Sequence, residues 1–262
     1  MGLCKWQSAW TEEENPLALR EEFERSGNQM FRQRSYLPLV FIGIYCYALR
    51  GYTYPGNSAR LDTLLEIFCL LVSFFGLAIR IFTIGHTPER TSGRNTQEQI
   101  ADTLNTTGLY SVVRHPLYVG NFVIWLGIIL FAHLWWLVLI YVLAFWLYYE
   151  RIMFAEEEFL RKKFSDEFTR WGATTPAFIP RFRGYVKPHL PFSTKTALKR
   201  EYNGAFAIIL VLFILEVASD AIVEHRFECD LFWKIILGVG FGMWMVLRTL
   251  KKKTTLLRVQ GR

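Results

Sequence analysis

A chain of 262 residues that is 52% hydrophobic and 16% aromatic, yet 20% charged and with a net charge of +7, is too apolar for an ordinary soluble domain. The composition suits an all-α, polytopic transmembrane protein with sizeable polar loops, and no nucleic-acid partner is expected of it.

The amino terminus, "MGLCKWQSAWTEEENP", lacks the apolar core of a signal peptide. Trp6 stands where an acylation signal would need Ser or Thr. Asn15 and Pro16 read as the cap and first residue of a helix. Leu17, Leu19, Phe23, Met30 and Phe31 then recur at helical spacing. Segment 1–35 is therefore expected to be amphipathic, lying on the membrane face or packed on polar loops.

A hydrocarbon core of roughly 30 Å takes about 20 helical residues to cross. Six apolar runs approach that length: 36–52, 61–84, 116–132, 133–153, 203–220 and 231–249. Reading Leu117 to Tyr149 as one helix would give about 50 Å, too long for a simple span. Two helices joined near His133, the one ionisable residue in that run, fit better. Lys and Arg number five in 1–36, three in 85–115, eleven in 150–204 and six in 248–262. Six spans with both termini cytoplasmic put these loops on one side, as the excess of positive charge in cytoplasmic loops requires. The expected setting is a bacterial inner membrane.

Residues 85–115 are rich in Gly, Thr, Ser and Asn, which predicts a structured loop. The sequon at Asn105 falls in it, on the cytoplasmic side. In "FAEEEFLRKKFSDEFTRW", Phe154, Leu160, Phe164, Phe168 and Trp171 recur every three or four residues, so an amphipathic helix should continue out of the fourth span. Pro176, Pro180, Pro188 and Pro191 end it. Cys4, Cys46, Cys69 and Cys229 show neither metal spacing nor pairing, and no metal site is expected. The basic tail "RTLKKKTTLLRVQGR" fits an anionic membrane surface. The chain thus divides into the N-terminal segment, two spans over 36–84, a core over 85–182 and a C-terminal hairpin with its tail over 183–262.

Two polar constellations interrupt this apolar plan. Arg114 and His115 precede Pro116, a residue favoured in the first turn of a helix, and so sit at its positive end, where free backbone donors favour an anion. Tyr118 adds a hydroxyl one turn inward, and Gly120 permits close approach of a ligand to the backbone. Glu156 and Glu157 end the fourth span, which the hairpin brings back beside Arg114, and they favour a cationic partner. An anion receptor facing a cation receptor across aromatic side chains matches a zwitterion such as S-adenosylmethionine.

The stretches "GLYSVVRHPLYVGN", "EEEFLRKKFSDEFTRW" and "FIP" resemble the isoprenylcysteine carboxyl methyltransferase family and its phospholipid methyltransferase relatives. The resemblance covers about 76–182. The family pattern G-x-Y-x-x-x-R-H-P-x-Y-x-G is filled by Gly108, Tyr110, Arg114, His115, Pro116, Tyr118 and Gly120. Its second half is filled by Glu156, Glu157, Leu160, Phe164 and Pro180. Ser165 departs from a glycine, and Phe168 and Trp171 depart from tyrosines.

The resemblance implies an S-adenosylmethionine pocket closed from lipid and a lipophilic methyl acceptor entering from the bilayer. Arg114 and His115 would bind the cofactor's carboxylate end, Glu156 or Glu157 its ammonium or ribose, and Tyr110, Val113, Tyr118 and Gly120 would line the pocket. Arg114, Glu157 and Arg80 would carry catalysis, with Arg80 and His86 facing the acceptor's anionic group. That acceptor is expected to be a prenylcysteine-type carboxylate or a lipid phosphate. The competing readings are an NADPH-dependent sterol-type reductase, in which an acid normally stands where this chain has Asn121, and a noncatalytic lipid-binding membrane protein.

Overall fold

The apolar runs fold as helices, and among the described residues no strand occurs. The computed structural model describes residues 18–33, 43–45, 47–88, 91, 101–223, 225, 230–259 and 261. Six helices have defined bounds: α1 Leu19–Gln33, α2 Ala59–Gly85, α3 Pro116–Leu130, α4 Trp135–Thr174, α5 Thr194–Val223 and α6 Leu231–Lys253. Of these, α2, α4, α5 and α6 are long and apolar enough to cross a membrane. Helix α3, with 15 residues, is about 22 Å long and covers only part of a bilayer core. Most of the expected first span lies outside the described residues, as do Asn15, Pro16, Cys4, Cys46 and Cys229. Residues 43–45 and 47–49 are helical.

The turn between the third and fourth expected spans falls at 131–134 and rules out a single helix from Leu117 to Tyr149. No glycine is present to take the left-handed conformation there, so His133 takes it, at φ 54°. Helix α2 starts at a Ser58 cap, whose hydroxyl accepts from the Leu61 N–H.

Helices α2 and α3 pack with their backbones almost touching. A Cβ on Gly76 would lie 2.5 Å from the Ile124 nitrogen and 2.7 Å from the Gly120 carbonyl. One on Gly127 would strike the Ser73 hydroxyl and lie 2.6 Å from the Cys69 carbonyl. Small residues at such an interface replace the hydrophobic drive that lipid removes with close van der Waals contact. Helix α5 joins this pair around buried Cys69, Leu77, Phe131, Ile208, Leu212 and Trp233.

Helix α4 runs on beyond its apolar part, about 60 Å over 40 residues. Its regular backbone breaks at Ser165, φ 42° and ψ −108°, the position where the family pattern has glycine. Helix α1 lies against α4 through an edge contact of Phe23 with Phe154, Arg151 over the Phe23 ring at 4.4 Å and Arg20 paired to the buried Glu158 at 2.5 Å. The expected amphipathic helix is thus packed on a polar extension of the bundle.

Candidate functional site

The turn before α3 is built by two short segments that hold each other. Gly108, at φ 64°, opens a 3-10 turn through Ser111, and its N–H donates to the Val186 carbonyl at 2.9 Å. The proline-broken segment after α4 runs beneath this turn. Arg114 N–H donates to the Pro176 carbonyl at 2.8 Å, His115 N–H to Ala177 at 3.2 Å, and Arg181 N–H to Val112 at 2.9 Å. Trp171, standing where the family has tyrosine, donates its indole N–H to the Tyr110 carbonyl at 2.9 Å. Phe168, the other replaced tyrosine, is buried.

These bonds correct one expectation. The backbone donors of Arg114 and His115 are used by the loop, and those of Tyr118 and Val119 bond to the His115 carbonyl. These four N–H groups are therefore not free to meet an anion, and the group that Arg114 offers is its side chain.

The two constellations meet. Arg114 Nη1 lies 3.1 Å from Glu157 Oε2. His115 bridges both acids, with Nε2 3.0 Å from Glu157 Oε1 and Nδ1 3.5 Å from Glu156 Oε2. Tyr118 donates its hydroxyl to Glu156 Oε1 at 2.6 Å. Its ring stacks on His115 at 5.7 Å and leans on Tyr149 at 4.9 Å. Burial of His115 opposes its charge, but its hydrogen bonds to Glu156 and Glu157 outweigh that cost and raise its pKa above the ordinary histidine value.

The cluster fits a zwitterion on an observation of its own. Arg114 Nε is buried and has no acceptor, an unsatisfied charged donor whose desolvation an incoming carboxylate would relieve. The Glu156 and Glu157 side chains keep 25% and 15% exposure, which leaves them reachable by a cation.

Val113 is buried behind the motif. The phenol of Tyr110 feels the charges of Glu156, Arg200 and Arg80. Gly120 is where Arg80 crosses: an added Cβ would meet Arg80 Cγ at 2.5 Å. Arg80 itself is held by a bidentate pair with the buried Glu201 of α5, Nε to Oε2 at 2.9 Å and Nη2 to Oε1 at 2.7 Å, and by Asn121 Oδ1 at 2.6 Å from Nη1. His86 lies apart from the cluster, its Nδ1 2.8 Å from the Phe82 carbonyl and its ring between Phe82 and Phe192. Glu201 and Asn121 were not expected at the site. An acid at the start of an apolar span, facing an arginine in another, was the signal for the first. Among the described residues no group of three or more His, Cys, Asp or Glu is placed to hold a metal ion.

Fold and cluster together define a polytopic helical membrane protein with a charged cluster where the start of α3 meets α4 beyond its apolar part. The profile of the phospholipid methyltransferase family matches residues 67–167, in agreement with the resemblance carried by the two motifs. The nickel-cobalt-cadmium resistance protein NccN of Alcaligenes xylosoxydans xylosoxydans is 36% identical over 128 residues, 48% of this chain and 56% of that protein. The cobalt-zinc-cadmium resistance protein CzcN of Cupriavidus metallidurans is 39% identical over 84 residues, 32% of this chain and 38% of that protein. The chain thus spans between about two fifths and a little over half of the length of these relatives. No solved structure matches.

Proposed function

We propose that the protein transfers a methyl group from S-adenosylmethionine to an anionic acceptor in the bilayer, a lipid phosphate or a prenylcysteine-type carboxylate. The observation that carries this reading is the Arg114 to Glu157 pair at 3.1 Å, within the segment that matches the family. The cofactor supplies an electrophilic methyl on a sulfonium. Binding exchanges one internal ion pair for two external ones: Arg114 takes the carboxylate, and Glu157 or Glu156 takes the ammonium. His115, whose pKa both acids raise, keeps them oriented, while Tyr118 fixes Glu156. An acceptor that is already anionic needs no general base, and the chain's task is to hold the reacting atoms about 3 to 3.5 Å apart and in line. Arg80 is fixed by Glu201 and Asn121 where it crosses Gly120.

The net positive loop 150–204, eleven bases against seven acids, favours the lipid phosphate. Both relatives are named for metal resistance. We carry that setting here as a phenotype: methylation that removes anionic charge from the membrane would lower its affinity for divalent cations, and deletion should sensitise cells to cobalt, nickel or cadmium.

The test is to incubate the purified full-length protein with radiolabelled methyl donor and extracted membrane lipids, and to identify the labelled species. Arg114→Ala should abolish labelling. Calorimetric binding of NADPH with none of S-adenosylmethionine would overturn the reading in favour of a reductase.

A further inference from the structure

Glu201 lies about two turns into α5, beyond the residues 67–167 that match the family profile, yet it reaches the neighbourhood of the motif through Arg80. From α2, Arg80 crosses α3 at Gly120, where its Cγ stands 2.5 Å from the place of an added Cβ, and its Nη1 donates to Asn121 Oδ1 at 2.6 Å. Residues three apart on a helix are surface neighbours, so Asn121 stands beside Tyr118, the residue that holds Glu156.

A guanidinium has five N–H donors in one plane and no acceptor. Glu201 takes one edge of that plane, with Nε donating to Oε2 at 2.9 Å and Nη2 to Oε1 at 2.7 Å. Such a fork-to-fork contact fixes orientation as well as position. With Asn121 on Nη1, three donors are engaged, and among the described residues nothing else bonds to the group. One N–H remains on each Nη, and the one on Nη2 points away from Glu201 because the group is planar.

The two members of the pair are unequally sealed. The Glu201 side chain is 4% exposed and that of Arg80 22%, so the acid stands behind the arginine and the accessible member of the pair is the donor. The grip of Glu201 orients Arg80 without consuming it. Stability alone does not account for the arrangement, since apolar side chains of similar volume often replace a buried ion pair without loss. What such side chains do not supply is a fixed direction for the remaining N–H groups.

We propose that Glu201 is a positioning residue for methyl transfer, which aims the free edge of the Arg80 guanidinium at the anionic oxygen of the acceptor. The proposal rests on the methyl-transfer reading given above. It makes the start of the C-terminal hairpin a part of the reacting machinery: Arg80 supplies the hydrogen bonds, and Glu201 fixes where they point.

The test measures methyl transfer from radiolabelled S-adenosylmethionine by the purified full-length protein at graded acceptor, offered either as membrane lipid extract in phosphatidylcholine vesicles or as N-acetyl-S-farnesylcysteine. Glu201→Gln should bind S-adenosylmethionine with the parent's Kd, because the Arg114 and Glu157 receptor is intact. Its KM for acceptor should rise about tenfold or more, as the loss of a hydrogen bond to a charged group does, with a smaller change in kcat. Glu201→Asp, which keeps the charge but shortens the reach by one methylene, should fall between the parent and Glu201→Gln.

Removing one partner of a buried pair leaves a charge uncompensated and is itself destabilising, so the deciding variant is the double substitution Arg80→Met with Glu201→Leu. It should keep a Tm close to the parent's and the parent's Kd for S-adenosylmethionine, while its acceptor KM rises at least as far as in Glu201→Gln. A double variant that methylates with the parental KM would overturn the proposal, and so would one whose Tm collapses, since the pair would then be a staple of the fold. An unchanged acceptor KM in folded Glu201→Gln would do the same. No label from the parent on either acceptor would instead sink the methyl-transfer reading, and the proposal with it.

Discussion

Glu157→Gln is the sharpest probe of the receptor, because one side chain serves both Arg114 at 3.1 Å and His115 at 3.0 Å. The substitution keeps size and one acceptor but removes the charge. Hydrogen bonds to charged groups contribute about 1.5 to 3 kcal/mol. Arg114 and Glu157 keep 19% and 15% side-chain exposure, so solvent screening puts the loss toward the lower end of that range. At about 1.4 kcal/mol per factor of ten, losing the contact to the cofactor's ammonium should weaken binding of S-adenosylmethionine roughly tenfold, and by no more than about 150-fold. Titration calorimetry reads this directly.

The variant has a second signature, which does not depend on the cofactor. His115 has a raised pKa in the folded protein, so its charged form contributes stability that is fully present below the unfolded value of about 6.5 and is lost as pH rises through the folded value. Glu157→Gln removes one of the two acids that raise it. Its pKa, followed by NMR of the ring, should drop, and the decline of Tm above neutral pH should flatten. Unchanged cofactor affinity together with an unchanged His115 titration would refute the receptor geometry.

Other perturbations separate strain from packing. Ser165→Gly, at φ 42°, should raise stability by about 1 kcal/mol, since a non-glycine residue held there costs of order 1 to 3 kcal/mol; a lower Tm would show that the serine is not strained. Gly120→Ala places a methyl group 2.5 Å from Arg80 Cγ and 2.9 Å from the Gly76 carbonyl. It should destabilise by about 1 to 3 kcal/mol, as overpacking does, and reduce activity together with Tm. Arg20→Ala removes an ion pair whose arginine is 63% exposed; it should lower Tm without affecting methyl transfer.

The reach of the sequence differs from element to element. Helices α2, α5 and α6 were legible because an apolar run long enough for a bilayer has few other folds available. The turn at His133 was legible from length alone, since a helix through it would overshoot the membrane. The meeting of Arg114 with Glu157 was also legible, because a hairpin of two adjacent spans must return the chain to the side where it started.

Three features were decided only in three dimensions. The backbone donors before α3 look free in the sequence, yet the proline-broken loop 176–187 pairs with them, and a contact between segments some 60 residues apart leaves no periodic trace. Arg80 looks available to the acceptor, but it is gripped by Glu201 from a helix 121 residues further along. Glu66 stands in an apolar run, and only the packing of α6 on α2 gives it the Trp233 indole N–H as a donor, at 3.0 Å. Local periodicity and span length fix which residues enter the membrane, because the bilayer acts on each segment separately. Which buried charges touch depends on how the helices rotate about their axes and pack, and that is set by contacts between segments distant in the chain.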